Sequence, residues 1–121
     1  MPAQPRQNRH TPGHRPFTLR CPMDLYRWLH RTSVLKGRTK TALMADAVDW
    51  VRAQPHWVER LRTVAIGDNG RRRSSTFDWP EETYLWLRIE SSEHGWSTNE
   101  LAIRALLAWR AHQDSAKGGA R

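Results

Sequence analysis

The sequence contains one residue pattern twice, and a constant offset of 58 positions separates the two copies. Identical residues recur at this offset, with a tryptophan pair and a glycine pair among them. Six of the pairs are Thr18/Thr76, Pro22/Pro80, Tyr26/Tyr84, Trp28/Trp86, Leu29/Leu87 and Gly37/Gly95. A repeated unit of about 40 residues constrains the fold more than any other feature of a chain. Because one copy is too short to bury a useful core, the repeat predicts two halves that share one core.

The composition favours a polyanionic partner. The chain has 121 residues, with 20 Lys+Arg against 12 Asp+Glu, which gives a formal net charge of +8. Such an excess favours nucleic acid first and an anionic membrane surface second. A basic protein that is merely soluble is the remaining alternative. Seven tryptophans and 38% apolar residues argue against a disordered chain.

The chain has a single cysteine, Cys21, so no internal disulfide can form. This is consistent with a reducing cytoplasm. No apolar run approaches the roughly 18 residues that a membrane-spanning helix needs. The N-terminus is basic but lacks the apolar stretch of a signal peptide. We therefore expect a cytoplasmic protein.

Each copy predicts a strand followed by two helices. In the first copy the strand covers 16–21, a helix covers Met23 to Lys36, and Gly37 ends that helix. A second helix covers about 41–53, capped by Thr39 or Thr41. The second copy predicts a strand near 74–79, a helix over about 80–93, an end at Gly95 and a last helix capped by Ser97 or Thr98.

The flanking and connecting segments complete the predicted organisation. We expect a flexible basic arm over 1–15, repeat units over 16–53 and 74–112, a connector over 54–73 and a frayed tail over 113–121. In the connector, Trp57, Val58, Leu61 and Val64 predict one or two helical turns.

Three segments carry a resemblance to a known family. Phe17-Thr18-Leu19-Arg20-Cys21-Pro22, Gly37-Arg38-Thr39 and the segment from Gly95 to Leu101 resemble the strand and the inter-helix loop of the ribbon-helix-helix family, the family of Arc and MetJ. The resemblance implies a mainly α fold with a two-stranded antiparallel β-ribbon, here as a pseudo-two-fold, single-chain double ribbon-helix-helix. Fused arrangements of this kind occur among conjugation accessory proteins of the TraY type.

The family implies sequence-specific binding to double-stranded DNA, with the ribbon in the major groove. The base-reading positions that follow are Thr18, Arg20, Ser74, Thr76 and Asp78. Arg20 can make a bidentate hydrogen bond to a guanine, and Thr can hydrogen-bond a base or touch a thymine methyl. Asp78 can accept from a cytosine N4 but repels phosphate. The alternatives are plain solvent exposure on a strand and, for Asp78, a cap on the following helix.

Phosphate contacts are predicted at the starts of the second helices and beside the strands. Unpaired N–H groups and the positive end of the helix dipole suit an anion at such positions. The predicted residues are Arg15, Thr39, Lys40, Thr41, Arg71, Arg72, Arg73, Ser97, Thr98 and Asn99. Plain helix capping, and a solvated basic run for the three consecutive arginines, are the alternatives.

These expectations define a DNA-binding regulator of transcription, associated with the nucleoid, and not an enzyme. No phosphate-binding loop, metal-ligand spacing or catalytic constellation is present in the sequence, so we expect no cofactor or metal. Further copies of the chain on tandem sites, and a relaxase or other DNA-processing protein, are possible partners. The alternatives are an accessory factor at a DNA-transfer origin, an antitoxin-type protein-binding module, and a basic surface-binding protein that reads no bases.

Overall fold

The computed structural model describes residues 13–66 and 70–119, which form a mainly helical fold with a two-stranded antiparallel sheet. This confirms the coarse fold class predicted from the sequence. The elements in chain order are β1 (His14–Pro22), α1 (Met23–Lys36), α2 (Lys40–Arg52), α3 (Trp57–Arg62), β2 (Arg72–Pro80), α4 (Glu81–His94) and α5 (Thr98–Gly119).

The predicted helix ends are confirmed where local backbone chemistry defines them. Helix α1 ends at Gly37 and α4 at Gly95, and both glycines adopt left-handed conformations, with φ of 64° and 77°. The Thr39 hydroxyl accepts from the Ala42 N–H at 3.0 Å, so Thr39 rather than Thr41 caps α2. Ser97 accepts from the Glu100 N–H at 3.0 Å and caps α5.

Three predicted boundaries were wrong. Strand β1 begins at His14 and β2 at Arg72, so Arg15, which we expected in a flexible arm, lies in the sheet. Pairing with a partner strand satisfies these backbone groups, a gain that the isolated segments do not reveal. Helix α5 continues to Gly119 instead of fraying after His112, because no proline or glycine interrupts it before residue 118. Residues 1–12 of the predicted arm lie outside the described residues.

The register of the sheet places one pair of equivalent repeat residues opposite each other. Thr18 lies opposite Thr76, and Phe17 lies opposite Phe77. Alternation along each strand places the larger apolar side chains on the inner face of the sheet. Leu19, Cys21 and Trp79 are buried on it, and the two phenylalanines are half-buried against the core.

The residue just before each strand accepts a backbone hydrogen bond from the first helix of the other copy. The Met23 N–H donates to the Arg71 carbonyl at 3.2 Å, and the Glu81 N–H donates to the Gly13 carbonyl at 2.8 Å. The two donors, Met23 and Glu81, are 58 residues apart, and so are the two acceptors, Gly13 and Arg71. The two copies are therefore interlocked through their strands rather than merely packed side by side.

Both copies contribute to one hydrophobic core, built mainly around the contact between α2 and α5. Leu25, Leu29, Leu43, Leu87 and Leu101 are buried in it. Met44, Val48, Ala102, Ile103 and Leu106 are also buried, whereas Trp50 and Ala108 are only half-buried. Helices α2 and α5 pack on each other and on further elements at once, so their buried surface is wider than one stripe.

Candidate nucleic-acid interface

The outer face of the sheet brings together all five predicted base-reading residues. Alternation along each strand places every second residue on this face, and cross-strand partners share it. Arg20 lies opposite Ser74, and Thr18 lies opposite Thr76. These four residues are exposed, while Asp78 is half-buried. We refer to this surface, formed by Thr18, Arg20, Ser74, Thr76 and Asp78, as the ribbon face.

A threonine pair occupies the middle of the ribbon face. The hydroxyl oxygens of Thr18 and Thr76 lie 2.7 Å apart, which is a hydrogen bond in which either residue can be the donor. One hydroxyl hydrogen is used in this bond, so only the accepting residue can still donate outward. The centre of the ribbon face therefore presents one donor and not two, although the two residues are chemically identical.

The backbone of Arg20 is held by residues from the second copy. The Arg20 N–H donates to Asn99 Oδ1 at 2.7 Å, and Asn99 Nδ2 donates to the Arg20 carbonyl at 3.2 Å. The guanidinium of Arg72 also donates to this carbonyl, at 3.2 Å. The side-chain amide that we predicted to contact phosphate is thus engaged inside the protein. Its effect is to fix the backbone from which the exposed Arg20 side chain projects.

Two clusters of basic residues around a tyrosine flank the sheet. We call them the basic-aromatic clusters. In the first, Arg73 and Lys40 lie over the Tyr26 ring, at 4.6 and 5.8 Å from its centroid. Guanidinium and ammonium groups are attracted to aromatic faces at such distances. This contact gives Arg73 and Lys40, both predicted phosphate ligands, a defined position beside one end of the ribbon.

The second basic-aromatic cluster surrounds Tyr84. Arg15 and Arg88 lie 4.9 and 5.8 Å from its ring centroid, and Arg88 Nη1 donates to the tyrosine hydroxyl at 2.8 Å. Arg15 is also 3.7 Å from the Glu81 carboxylate, so this cluster is partly neutralised.

Arg88 and the roles of the two tyrosines were missed by the sequence analysis. A usable signal was present, since Arg15/Arg73 and Tyr26/Tyr84 share the offset of 58 residues. Arg88 had no such signal, because its counterpart in the first copy is His30.

The N-termini of α2 and α5 differ in their suitability for an anion. Thr39 and Ser97 use their hydroxyls as caps, and the Thr98 hydroxyl lies 3.3 Å from that of Ser91. The first turn of α2 contains no acidic residue, whereas that of α5 contains Glu100. Because a carboxylate offsets the positive end of the helix dipole, α2, with Lys40 and Thr41, is the better phosphate site.

The three consecutive arginines do not form one uniform solvated run. Arg71 is exposed, and its backbone carbonyl accepts from Met23. Arg72 is half-buried, with its guanidinium on the Arg20 carbonyl. Arg73 lies over Tyr26. Two of the three therefore have defined positions within the fold, while Arg71 projects beside the start of β2.

Comparison with known proteins adds no relative: no protein-family model, no curated protein and no solved structure matches the chain. Over the described ranges, no helix combines the length and the apolar character that crossing a bilayer requires. Within the same ranges, no group of three or more histidine, cysteine or acidic side chains is arranged to hold a metal ion. The ribbon face and its flanks are therefore the features of the chain that bear on its function.

Proposed function

We propose that this chain is a single-chain pair of ribbon-helix-helix units that binds duplex DNA sequence-specifically through the ribbon face. The observation that supports this most is the register of the sheet. Thr18 and Thr76, which are equivalent in the repeat, pair with each other. When a two-fold axis relates two equivalent antiparallel strands, only the residue at the axis lies opposite its own equivalent. The pairing of Thr18 with Thr76 is the register that such an axis produces.

Two further sets of contacts obey the same relationship. If each residue of the bond from Met23 to Arg71 is replaced by its equivalent in the other copy, the result is the bond from Glu81 to Gly13. Each of these bonds joins one copy to the other. The same holds for Arg73 over Tyr26 and Arg15 over Tyr84. A fused pseudo-dimer accounts for all of these contacts with one symmetry operation, whereas an unrelated fold would need a separate reason for each.

The chemistry of the surface suits a duplex. The major groove of B-DNA admits a two-stranded ribbon, and it displays a distinguishable pattern of donors and acceptors for each base pair. In the proposed complex the ribbon face reads bases, while the basic-aromatic clusters and the N-terminus of α2 contact the phosphates on either side. The net charge of +8 supplies the general attraction.

The proposed site is asymmetric. Arg20 and Asp78 occupy equivalent positions in the repeat and carry opposite charges. Arginine bonds the O6 and N7 atoms of guanine, while a carboxylate accepts from the N4 amino group of cytosine. We therefore propose that the two half-sites differ in sequence, with the guanine-dependent half read by Arg20.

Selection of binding sites from a random duplex library, followed by measured affinities, tests this proposal. We expect Arg20→Ala to weaken binding by about 1–3 kcal/mol and to relax base preference in one half-site only. Arg31→Ala is the matched control, because Arg31 is an exposed arginine of α1 outside the ribbon. It should reduce affinity slightly and leave base preference unchanged. If a folded Arg20→Ala variant keeps the parent's sequence preference, the ribbon face is not the reading surface.

The position of the natural site then assigns the biological role. Control of a promoter is the role we propose, and footprints that overlap a promoter support it. Footprints confined to a nick site would instead assign the chain to DNA transfer, since both roles use the same recognition chemistry.

A further inference from the structure

A cleft with a volume of about 400 Å³ lies between the end of α2, helix α3 and the second half of α5. Of the described residues that line it, none belongs to the ribbon face or to the basic-aromatic clusters. Sites for small molecules commonly have volumes of about 300–1,000 Å³ and mostly apolar walls. The cleft is thus large enough for a small ligand, and it is separate from the proposed DNA interface.

Aromatic side chains form part of the cleft wall. Trp50 and Trp57 both line it, together with aliphatic side chains such as Leu61 and Val64. His112 stacks on Trp50, with ring centroids 4.6 Å apart and an angle of 25° between the planes. Trp57 contacts Trp86, whose ring centroid is 4.9 Å away. Aromatic side chains in the wall favour a planar, aromatic ligand.

The charge of the cleft is positive and uncompensated. Arg60 is exposed at its edge, 5.9 Å from the centroid of the Trp50 ring. Its guanidinium donates to Gln54 Oε1 at 3.1 Å, and Gln54 Nε2 donates to the Trp50 carbonyl at 3.1 Å. Across residues 13–66 and 70–119, no carboxylate lies within ion-pair distance of Arg60, and none lines the cleft. A neutral amide orients the guanidinium, whose charge is left for a ligand.

We propose that this cleft is a binding site for a small planar aromatic carboxylate. The ring packs within the cleft against its aromatic and aliphatic walls, and the carboxylate accepts charge-assisted hydrogen bonds from Arg60. The hydroxyls of Thr63 and Ser115, which also line the cleft, are additional polar groups at its margin. This site does not depend on DNA binding, so either proposal can fail without the other.

Calorimetric titration of the full chain with indole-3-carboxylate tests the proposal, and indole-3-carboxamide is the neutral probe of the same shape. We expect saturable binding of the carboxylate with a rise in Tm, because a ligand that binds only the folded state stabilises it. The carboxamide should bind about tenfold more weakly, since charge-assisted hydrogen bonds are roughly twice as strong as neutral ones.

Two variants on the same helix locate the binding. Arg60→Gln should abolish the preference for the carboxylate, whereas Arg62→Gln should keep it, because Arg62 lies over Trp96 and does not line the cleft. Ala108→Leu should weaken both probes by narrowing the cleft. The proposal is overturned if neither probe binds at millimolar concentration, or if Arg60→Gln binds the carboxylate as the parent does.

Discussion

Among single residues, Asn99 has the most unexpected role. It was predicted to contact phosphate, yet both atoms of its amide bond the backbone of Arg20. The sequence separation between these two residues is 79 positions. Asn99 is therefore a positioning residue for the proposed guanine contact, and Thr41, its counterpart in the first copy, has a different side chain. Asymmetry between the two halves thus extends beyond the ribbon face to the residues that support it.

We predict that Asn99→Ala weakens specific binding by about 1 kcal/mol, because two hydrogen bonds that fix Arg20 are lost. Unlike Arg20→Ala, it removes no charge, so the salt dependence of binding should stay as in the parent. Affinity measurements in a double-mutant cycle provide the check. In the Arg20→Ala background the added substitution should have no further effect on base preference, and an additive effect would show that Asn99 acts on DNA by another route.

Cys21 gives a prediction about pH. Burial, opposed in part by the positive charge of Arg72, raises the pKa of its thiol from 9.0 to about 12. A raised pKa means that folding favours the neutral thiol, so its stabilising contribution is complete below pH 9.0 and is lost as the pH rises through about 12.

Unfolding midpoints measured from pH 8 upward should therefore decline less steeply in Cys21→Ala than in the parent. A thiol reagent at pH 8 should modify the parent only as it unfolds, and rapid labelling of the folded chain would contradict the burial of Cys21.

At the level of the elements, residues beside each helix end determine where α1 and α4 stop. The connector, in contrast, is held by a residue that is distant in sequence. Arg104 of α5 donates to the carbonyls of Leu61 and Val64, at 2.8 and 2.9 Å. Its guanidinium also bonds Glu100 at 2.9 Å. The bonds to the two carbonyls tie α5 to the end of α3 at Leu61 and to Val64 just beyond it, and the short helix α3 could not form a stable element by itself. The sequence predicted helical turns in the connector but gave no sign of their anchor.

Substitutions at Gly37 test whether local backbone conformation determines the end of α1. Its φ of 64° is costly for any residue with a Cβ atom, so Gly37→Ala should lower the free energy of unfolding by about 1–2 kcal/mol. An added Cβ would meet no atom within 4 Å, so the loss comes from backbone conformation and not from a clash. Denaturant titration gives the value. Gly37→Asn should lose less, because asparagine tolerates this conformation, and equal losses for the two variants would refute the explanation.

The whole molecule is expected to fold as a monomer, because the two strands of its sheet belong to one chain. Fusion replaces the association step on which two separate halves would depend. We predict that Tm does not change with protein concentration and that sedimentation gives a monomer in the absence of DNA. A species that dissociates and unfolds together on dilution would contradict the single-chain pseudo-dimer.

The order of the elements, the ends of α1 and the alternation of the strands could be predicted, because each depends on residues close together in the chain. Gly37 and Gly95 end α1 and α4 through their own backbone freedom. Thr39 and Ser97 cap the starts of α2 and α5 by bonding an N–H three residues further on. The constant offset of the repeat also placed all five base-reading candidates on two matching strands.

Only the tertiary structure decided which distant residues meet. Arg15 lies over Tyr84, Asn99 holds Arg20, and Arg60 lies at a cleft made by three helices. Each contact depends on the register of paired strands and on how α2 and α5 pack, which long-range burial sets. Short stretches of sequence carry the backbone preferences of each element, but they do not contain the free energy of bringing those elements together.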